Sequence, residues 1–162
     1  MMSKIDATTL IGDKNDFAVE YRLIGTNQIC FQFWISKLNV GTLKDEVQFG
    51  TIVSESHRLV DWPKISTLSN NQQLLNGEIP FIKNYVFSED KIPGARLGFP
   101  ENFDDFLFEC VRLETSYIFV WQLAKDPYFT YEDYPRGIQI AVIREEHVNK
   151  VMEDFLKSTR SQ

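Results

Sequence analysis

Residues 106–123 read FLFECVRLETSYIFVWQL and give the strongest structural signal in the chain. Two runs rich in aromatic and β-branched residues, 106–113 and 117–123, predict two β-strands. Only residues 114–116 separate these runs. Such a short connection permits only antiparallel pairing, because parallel strands need a crossover of a dozen or more residues. The stretch therefore predicts a β-hairpin in the C-terminal half of the chain.

The segments that follow this hairpin predict one more strand and a C-terminal helix. Residues 138–143 (IQIAVI) are strand-like, and a polar, aromatic loop over 124–137 precedes them. Residues 145–157 carry apolar side chains at helical spacing and begin with two glutamates, which the dipole of a helix favours in its first turn. A last strand and an amphipathic helix are therefore predicted to complete this half.

Residues 17–36 predict a second hairpin near the N terminus. The run 17–23 alternates apolar and polar residues from Val19 onward, and the turn residues 25–27 (GTN) separate it from the aromatic run 29–35, ICFQFWI. A short third strand is predicted at 40–43. Strands are therefore expected at both ends of the chain.

The middle of the chain gives weaker signals. Apolar spacing over 49–60 predicts a helix that Pro63 ends, and a second short helix is predicted at 66–75. Residues 79–87 fit a helix or a strand equally well, and the prolines and glycines of 91–102 predict a loop. Helices between two groups of strands predict an α+β fold with an antiparallel sheet, built from the N-terminal and C-terminal strands.

Length and composition predict a single domain over residues 1–162. No apolar run reaches the roughly 18 residues of a membrane helix, and the N terminus has no secretory apolar segment. We therefore expect a cytoplasmic protein that does not associate with membranes. Cys30 and Cys110 each lie in an apolar run, which favours reduced thiols in the core for a chain without an export signal.

The signatures of common catalytic, metal and cofactor sites are missing from the sequence. His57 and His147 have no metal-binding residue at ligand spacing, so we predict no metal and no cofactor. Asp104, Asp105 and Glu109 could place two carboxylates on one strand face, which leaves an acid–base enzyme as an alternative. That alternative needs a cleft that separates their pKa values, and without one we expect no enzyme.

The net charge of −6 is concentrated in residues 101–134. This segment holds eight acidic residues against Arg112 and Lys125, whereas the rest of the chain is close to neutral. An acidic balance argues against nucleic-acid binding, which depends on neutralising phosphates. Carboxylates would instead steer a basic protein partner.

The same segment contains a proline-bounded loop, 126–135, which reads DPYFTYEDYP. Tyrosine suits interfaces because it is large, stiff and able to form a hydrogen bond at its tip. The predicted partner-binding residues are Asp126, Tyr128, Tyr131, Glu132, Asp133 and Tyr134. The alternative is a connecting loop that folds its tyrosines onto the sheet and keeps its acids in solvent.

Two N-terminal stretches are distinctive, GDKNDFAVE at 12–20 and CFQFWI at 30–35. The C-terminal half combines the hairpin with Trp121, the YPRG stretch at 134–137, the last strand and the final helix. In these features both ends of the chain resemble the immunity protein 42 family of bacterial polymorphic toxin systems. The middle, about 45–102, departs from the family pattern.

The resemblance implies a cytoplasmic immunity protein that binds and neutralises a cognate bacterial toxin by stoichiometric inhibition. It implies neither catalytic residues nor a cofactor. A basic toxin domain, such as a nuclease, would suit the acidic segment, although that inference comes from charge alone. The alternative function is a small-ligand or regulatory module with an aromatic pocket around Trp34 or Trp121.

Overall fold

The computed structural model describes residues 7–65, 97–113 and 115–160. Within these residues the strands are β1 (Thr9–Gly12), β2 (Phe17–Ile24), β3 (Gln28–Ile35), β4 (Leu38–Gln48), β5 (Lys64–Ile65), β6 (Phe106–Leu113), β7 (Ser116–Leu123) and β8 (Gln139–Arg144). The helices are α1 (Phe49–Val60) and α2 (Glu145–Arg160), and a 3-10 turn spans Glu101–Phe103. None of the described helices is long and apolar enough to cross a membrane. The predicted helix at 66–75 and the ambiguous segment 79–87 lie outside the described residues.

The described strands form two sheets with the orders β1-β2-β3-β4 and β5-β6-β7-β8. Every pair is antiparallel except β5 and β6, where Lys64 lies opposite Arg112 in a two-residue parallel pair. The predicted α+β class with antiparallel pairing is confirmed. The structure adds that the N-terminal and the C-terminal strands form separate sheets.

Both predicted hairpins are confirmed, with Val19 opposite Phe33 in the first and Cys110 opposite Phe119 in the second. The helices predicted at 49–60 and 145–157 begin at the expected residues, and α2 extends to Arg160. Strand β1 was not predicted, because its four residues are mostly exposed and carry little apolar pattern. Strand β4 is also longer than the predicted 40–43, because Val47 and Gln48 pair with β3 again beyond residues 43–46.

Stacked aromatic side chains form the core between the two sheets. Phe17 of β2 stacks on Phe119 of β7 with ring centroids 5.4 Å apart. Helix α2 closes the first sheet, since Phe155 packs edge-on against Tyr21 at 5.0 Å and lies 5.2 Å from Phe31. The chain has 13 Phe, 6 Tyr and 3 Trp, and 12 of these side chains are buried among the described residues. Each buried aromatic side chain removes a large apolar area from water.

Both cysteines are free and buried. Cys110 lies in the core, where burial raises the pKa of its thiol well above the usual value. Cys30 lies on β3, and its Sγ accepts a weak hydrogen bond of 3.6 Å from Arg22 Nη2. The predicted burial of both thiols is confirmed.

Candidate partner-binding site

An acidic cleft opens where strand β4, the 3-10 turn and the loop after β7 meet. Its volume is about 540 Å³, and it is lined by Asp45, Glu101, Asp104, Asp105, Tyr128 and Phe129. We call this cleft the acidic cleft. Its lining comes from three segments that are far apart in the sequence, so the fold must position each one separately.

A bulge in β4 brings the first of these segments to the cleft. Thr42 of β4 pairs with Phe31 of β3, and Val47 pairs with Ile29. Four residues of β4 (43–46) therefore lie opposite a single residue of β3, Cys30. Bulges redirect the side chains of a strand, and this bulge places Asp45 at the cleft. The neighbouring Lys44 reaches across, and its Nζ lies 3.4 Å from the Thr130 carbonyl of the loop.

The 3-10 turn carries the second segment and is fixed to the first sheet. The buried Asn102 donates a 2.7 Å hydrogen bond from Nδ2 to the carbonyl of Phe31. The Phe103 ring lies against Gly41, whose φ of +94° is in the region that favours glycine. The absence of a side chain at Gly41 therefore lets the turn approach β4 closely.

Asp105 positions the third segment, the loop after β7. Only 8% of this residue is exposed, and its two carboxylate oxygens accept three hydrogen bonds from the loop. The donors are the Tyr128 amide at 2.7 Å, the Phe129 amide at 3.0 Å and the Tyr131 hydroxyl at 3.0 Å. One carboxylate therefore holds three of the residues between 128 and 131.

Two of the predicted partner-binding tyrosines point inward. The ring of Tyr131 packs edge-on against Phe106, with centroids 5.2 Å apart. The Tyr134 hydroxyl accepts from Trp121 Nε1 at 2.9 Å and donates to the Asn39 carbonyl at 2.7 Å. Burial raises the pKa of both tyrosines above the ordinary value. These two residues therefore hold the inner side of the loop against the rest of the fold.

The other predicted partner-binding residues face solvent. Tyr128 is 87% exposed at the mouth of the acidic cleft, and its ring meets Phe129 edge-on at 5.0 Å. Asp126, Glu132 and Asp133 are exposed along the same loop but do not line the cleft. The structure thus combines part of each sequence interpretation, an exposed surface and tyrosines folded onto the sheet.

The acidic cleft carries concentrated negative charge. Partial burial raises the pKa of Asp45, and the nearby carboxylates of Glu101 and Asp104 raise it further. Among the described residues, no Lys or Arg forms an ion pair with any of these three carboxylates. A positive side chain entering the cleft would therefore relieve repulsion that the described part of the chain does not neutralise.

A smaller apolar groove adjoins the acidic cleft at Asp104. It has a volume of about 160 Å³ and is lined by Leu97, Phe99, Phe103, Asp104, Phe106, Leu107 and Phe108. Leu107 is 47% exposed, so it is one of the few large apolar side chains on this surface. Acidic and apolar surfaces therefore lie side by side.

The alternative sites predicted from the sequence are arranged differently. Trp121 is buried, and Trp34 donates from Nε1 to Glu20 at 2.9 Å, with Lys14 over its ring. Neither tryptophan lines the cleft or the groove. Asp104 and Asp105 both line the acidic cleft, whereas Glu109 is buried within β6 and does not.

The described residues contain no group of three or more His, Cys, Asp or Glu side chains that could hold a metal ion.

Sequence reasoning missed Asp45 as a member of the site. Its only sequence signal is its place in a polar stretch, and the bulge that directs it depends on tertiary packing. Glu101 lies in the acidic segment identified from the sequence but was not singled out.

The sequence matches no protein-family model, and no curated protein matches it. The crystal structure of CdiI from Burkholderia dolosa AUO158 has a similar fold, with a TM-score of 0.60 and 13% sequence identity. The match covers 93% of this chain and 99% of that one. At this identity the likeness shows a shared fold, and membership of the immunity protein 42 family stays a prediction.

Proposed function

We propose that this protein is a bacterial immunity protein that binds a cognate toxin in the cytoplasm and neutralises it stoichiometrically. The supporting observation is the likeness in fold to CdiI, a contact-dependent growth inhibition immunity protein. The match covers nearly all of both chains, so a whole domain is shared rather than a common substructure. In this proposal the protein acts by binding alone, without catalysis or a cofactor, and belongs with the family that the sequence resembles.

The acidic cleft and the loop beside it form the proposed toxin-binding surface. Tyr128 is the proposed anchor, because a large, exposed aromatic ring beside a cleft can be desolvated by a partner. Asp126, Glu132 and Asp133 extend the negative field around it, which favours rapid encounter with a basic partner. Tyr131 and Tyr134 act indirectly, by holding the loop in place.

The charge of this surface favours a basic toxin domain, and a nuclease is one class that fits. The carboxylates at the cleft would contact lysine or arginine side chains that the toxin otherwise uses on its own substrate. Direct binding of nucleic acid by the immunity protein is disfavoured for the same reason. Leu107 in the adjoining groove offers apolar contact area next to these charges.

The proposal is tested with the toxin domain encoded by a neighbouring gene. Co-expression should restore growth of cells that produce this toxin, and titration calorimetry should give one immunity protein per toxin. Failure to bind or to protect against that toxin, or protection at far below one equivalent, would contradict stoichiometric inhibition.

The placement of the surface is tested with matched variants. Tyr128→Ala should weaken binding roughly 10- to 100-fold, the range of an interface anchor. Leu10→Ala, which truncates an exposed apolar residue on β1, should leave the affinity unchanged. Asp104→Lys should weaken binding and slow association, whereas Glu153→Lys on α2 makes the same charge change without effect. Equal effects of Tyr128→Ala and Leu10→Ala would remove the cleft as the binding surface.

A further inference from the structure

We infer that Asp105 is a positioning residue that holds the loop after β7 in its partner-binding conformation. Its role in binding rests on the proposed function, whereas its role in loop shape depends only on the geometry of this chain. Asp105 itself is nearly buried and offers a partner almost no surface. Its effect on binding would therefore act through the residues that it holds, chiefly Tyr128.

The hydrogen bonds of Asp105 fix the loop at two places. Its backbone carbonyl accepts from the Ala124 amide at 2.7 Å, where the loop leaves β7. Its carboxylate accepts from the consecutive amides of Tyr128 and Phe129, at 2.7 and 3.0 Å. Two successive amides that point at one carboxylate define the local backbone direction. The exposed Tyr128 side chain projects from this fixed point.

The two contacts that cations make with the loop are weaker than those of Asp105. Lys44 Nζ lies 3.4 Å from the Thr130 carbonyl, and Arg136 Nη1 lies 3.4 Å from the Lys125 carbonyl. Both contacts are long and solvent-exposed, so water competes with each of them. The contacts of Asp105 are shorter and largely shielded from water. The shape of residues 128–131 should therefore depend on this carboxylate more than on either cation.

A carboxylate is the group that this arrangement requires. Tyr128 donates to one oxygen of Asp105, whereas Phe129 and Tyr131 donate to the other. An asparagine of the same shape has one acceptor oxygen and one amide NH2 group, and the NH2 group can only donate hydrogen bonds. Asp105→Asn would therefore direct an N–H group at one or two of the loop donors. The loop would lose part of its anchor without a change in side-chain volume.

Amide hydrogen exchange of the free protein, read by NMR, tests the positioning role without any partner. In the wild-type protein the Tyr128 and Phe129 amides should exchange at least about tenfold more slowly than the neighbouring Thr130 amide. Asp105→Asn should accelerate at least one of these two amides by a similar factor and leave core amides such as Phe119 unchanged. Asp104→Asn, next along the chain, should have no such effect.

Unprotected amides in the wild-type protein would overturn the inference, even if Asp105→Asn fails to fold. Unchanged exchange in a folded Asp105→Asn would overturn it too. Tyr131→Phe removes one donor to the same oxygen and should keep both amides protected. Loss of their protection in this variant would move the positioning role from Asp105 to Tyr131.

Binding of the cognate toxin tests the functional consequence. Asp105→Asn should lower affinity about 10-fold, and its effect should largely vanish in a Tyr128→Ala background, because both changes remove the same anchor. If Asp105→Asn accelerates amide exchange in the loop but leaves toxin affinity unchanged, Asp105 positions the loop and the loop is not the binding surface. If the losses of binding free energy from Asp105→Asn and Tyr128→Ala add up in the double variant, Asp105 does not act through Tyr128. Failure of the proposed function is therefore distinguishable from failure of this inference.

Discussion

The side-chain amide of Asn102 donates to the backbone carbonyl of Phe31 over 2.7 Å, and both residues are buried. Phe31 pairs with Thr42, the last paired residue of β4 before the bulge. The bond therefore ties the turn that carries Glu101 and Asp104 to the place where β4 turns Asp45 toward the same cleft. Two of the three cleft segments depend on this contact.

Asn102→Ala should lower the free energy of unfolding by about 1–3 kcal/mol, because it leaves a buried carbonyl without its donor. Urea denaturation followed by circular dichroism measures this loss. Asn15→Ala, in an exposed turn, is the matched control and should change stability by less than about 0.5 kcal/mol. Equal stability of the two variants would mean that the Asn102 bond contributes little.

Gly41→Ala should be destabilising by roughly 2 kcal/mol or more. An added Cβ would lie 2.9 Å from the Phe103 ring, and φ of +94° is unfavourable for alanine. Gly50→Ala in α1 is the control, because its Cβ would meet nothing within 4 Å. Alanine favours a helix over glycine by up to about 1 kcal/mol, so Gly50→Ala should be neutral or stabilising. Thermal unfolding compares the two, and a loss at both positions would contradict the close approach of the turn.

Tyr134→Phe should destabilise the fold by about 1–3 kcal/mol, since it removes the partner of Trp121 Nε1 and the donor to the Asn39 carbonyl. Tyr128→Phe removes an exposed hydroxyl and should change stability by less than about 0.5 kcal/mol. Chemical denaturation separates the two tyrosines. A larger loss for Tyr128→Phe would reverse their assigned roles.

Glu145 should contribute stability that disappears in acid. Its hydrogen bond with Lys64, and then the Arg112 contact, hold the pKa of this carboxyl below its ordinary value. A lowered native pKa means that the contribution is complete above the unfolded pKa of about 4.3 and is lost as pH falls through the lower native value. Denaturation between pH 7 and pH 3 follows this loss.

Glu145→Gln should cost roughly 0.5–1 kcal/mol at pH 7 and flatten the decline of stability below about pH 4.5. Glu146→Gln is the control, because its pair with Arg144 is exposed on both sides and should contribute little. If the free energy of unfolding falls equally steeply in acid for the wild-type and Glu145→Gln proteins, Glu145 is not the titrating group.

Much of the fold was predictable because its signals are local. The aromatic and β-branched runs of β2, β3, β6 and β7 identify strands without reference to the rest of the chain. The same holds for α2, whose apolar spacing gives a helix on its own. Strand β1 escaped prediction because exposed strands form through backbone pairing, which leaves little trace in side-chain chemistry.

The site was predictable only in part. The acidic tyrosine loop stands out by charge and composition, and its Tyr128 lines the acidic cleft, whereas its role in partner binding stays a prediction. The sequence could not decide that Tyr134 turns inward while Tyr128 faces solvent, because the hydroxyl partner of Tyr134, Asn39, lies 95 residues away. Asp45 was missed for a similar reason, since only pairing between β4 and β3 reveals the bulge.

The sequence by itself determined strands β2, β3, β6, β7 and β8, the two described helices and the confinement of negative charge to one segment. These properties follow from side-chain type and spacing over a few residues. Tertiary structure alone decided that the strands form two sheets and that Asp45 joins Glu101 and Asp104. It also decided that Asp105 turns inward to hold the loop. These outcomes depend on packing between residues distant in sequence, where each contact exists only once the others are formed.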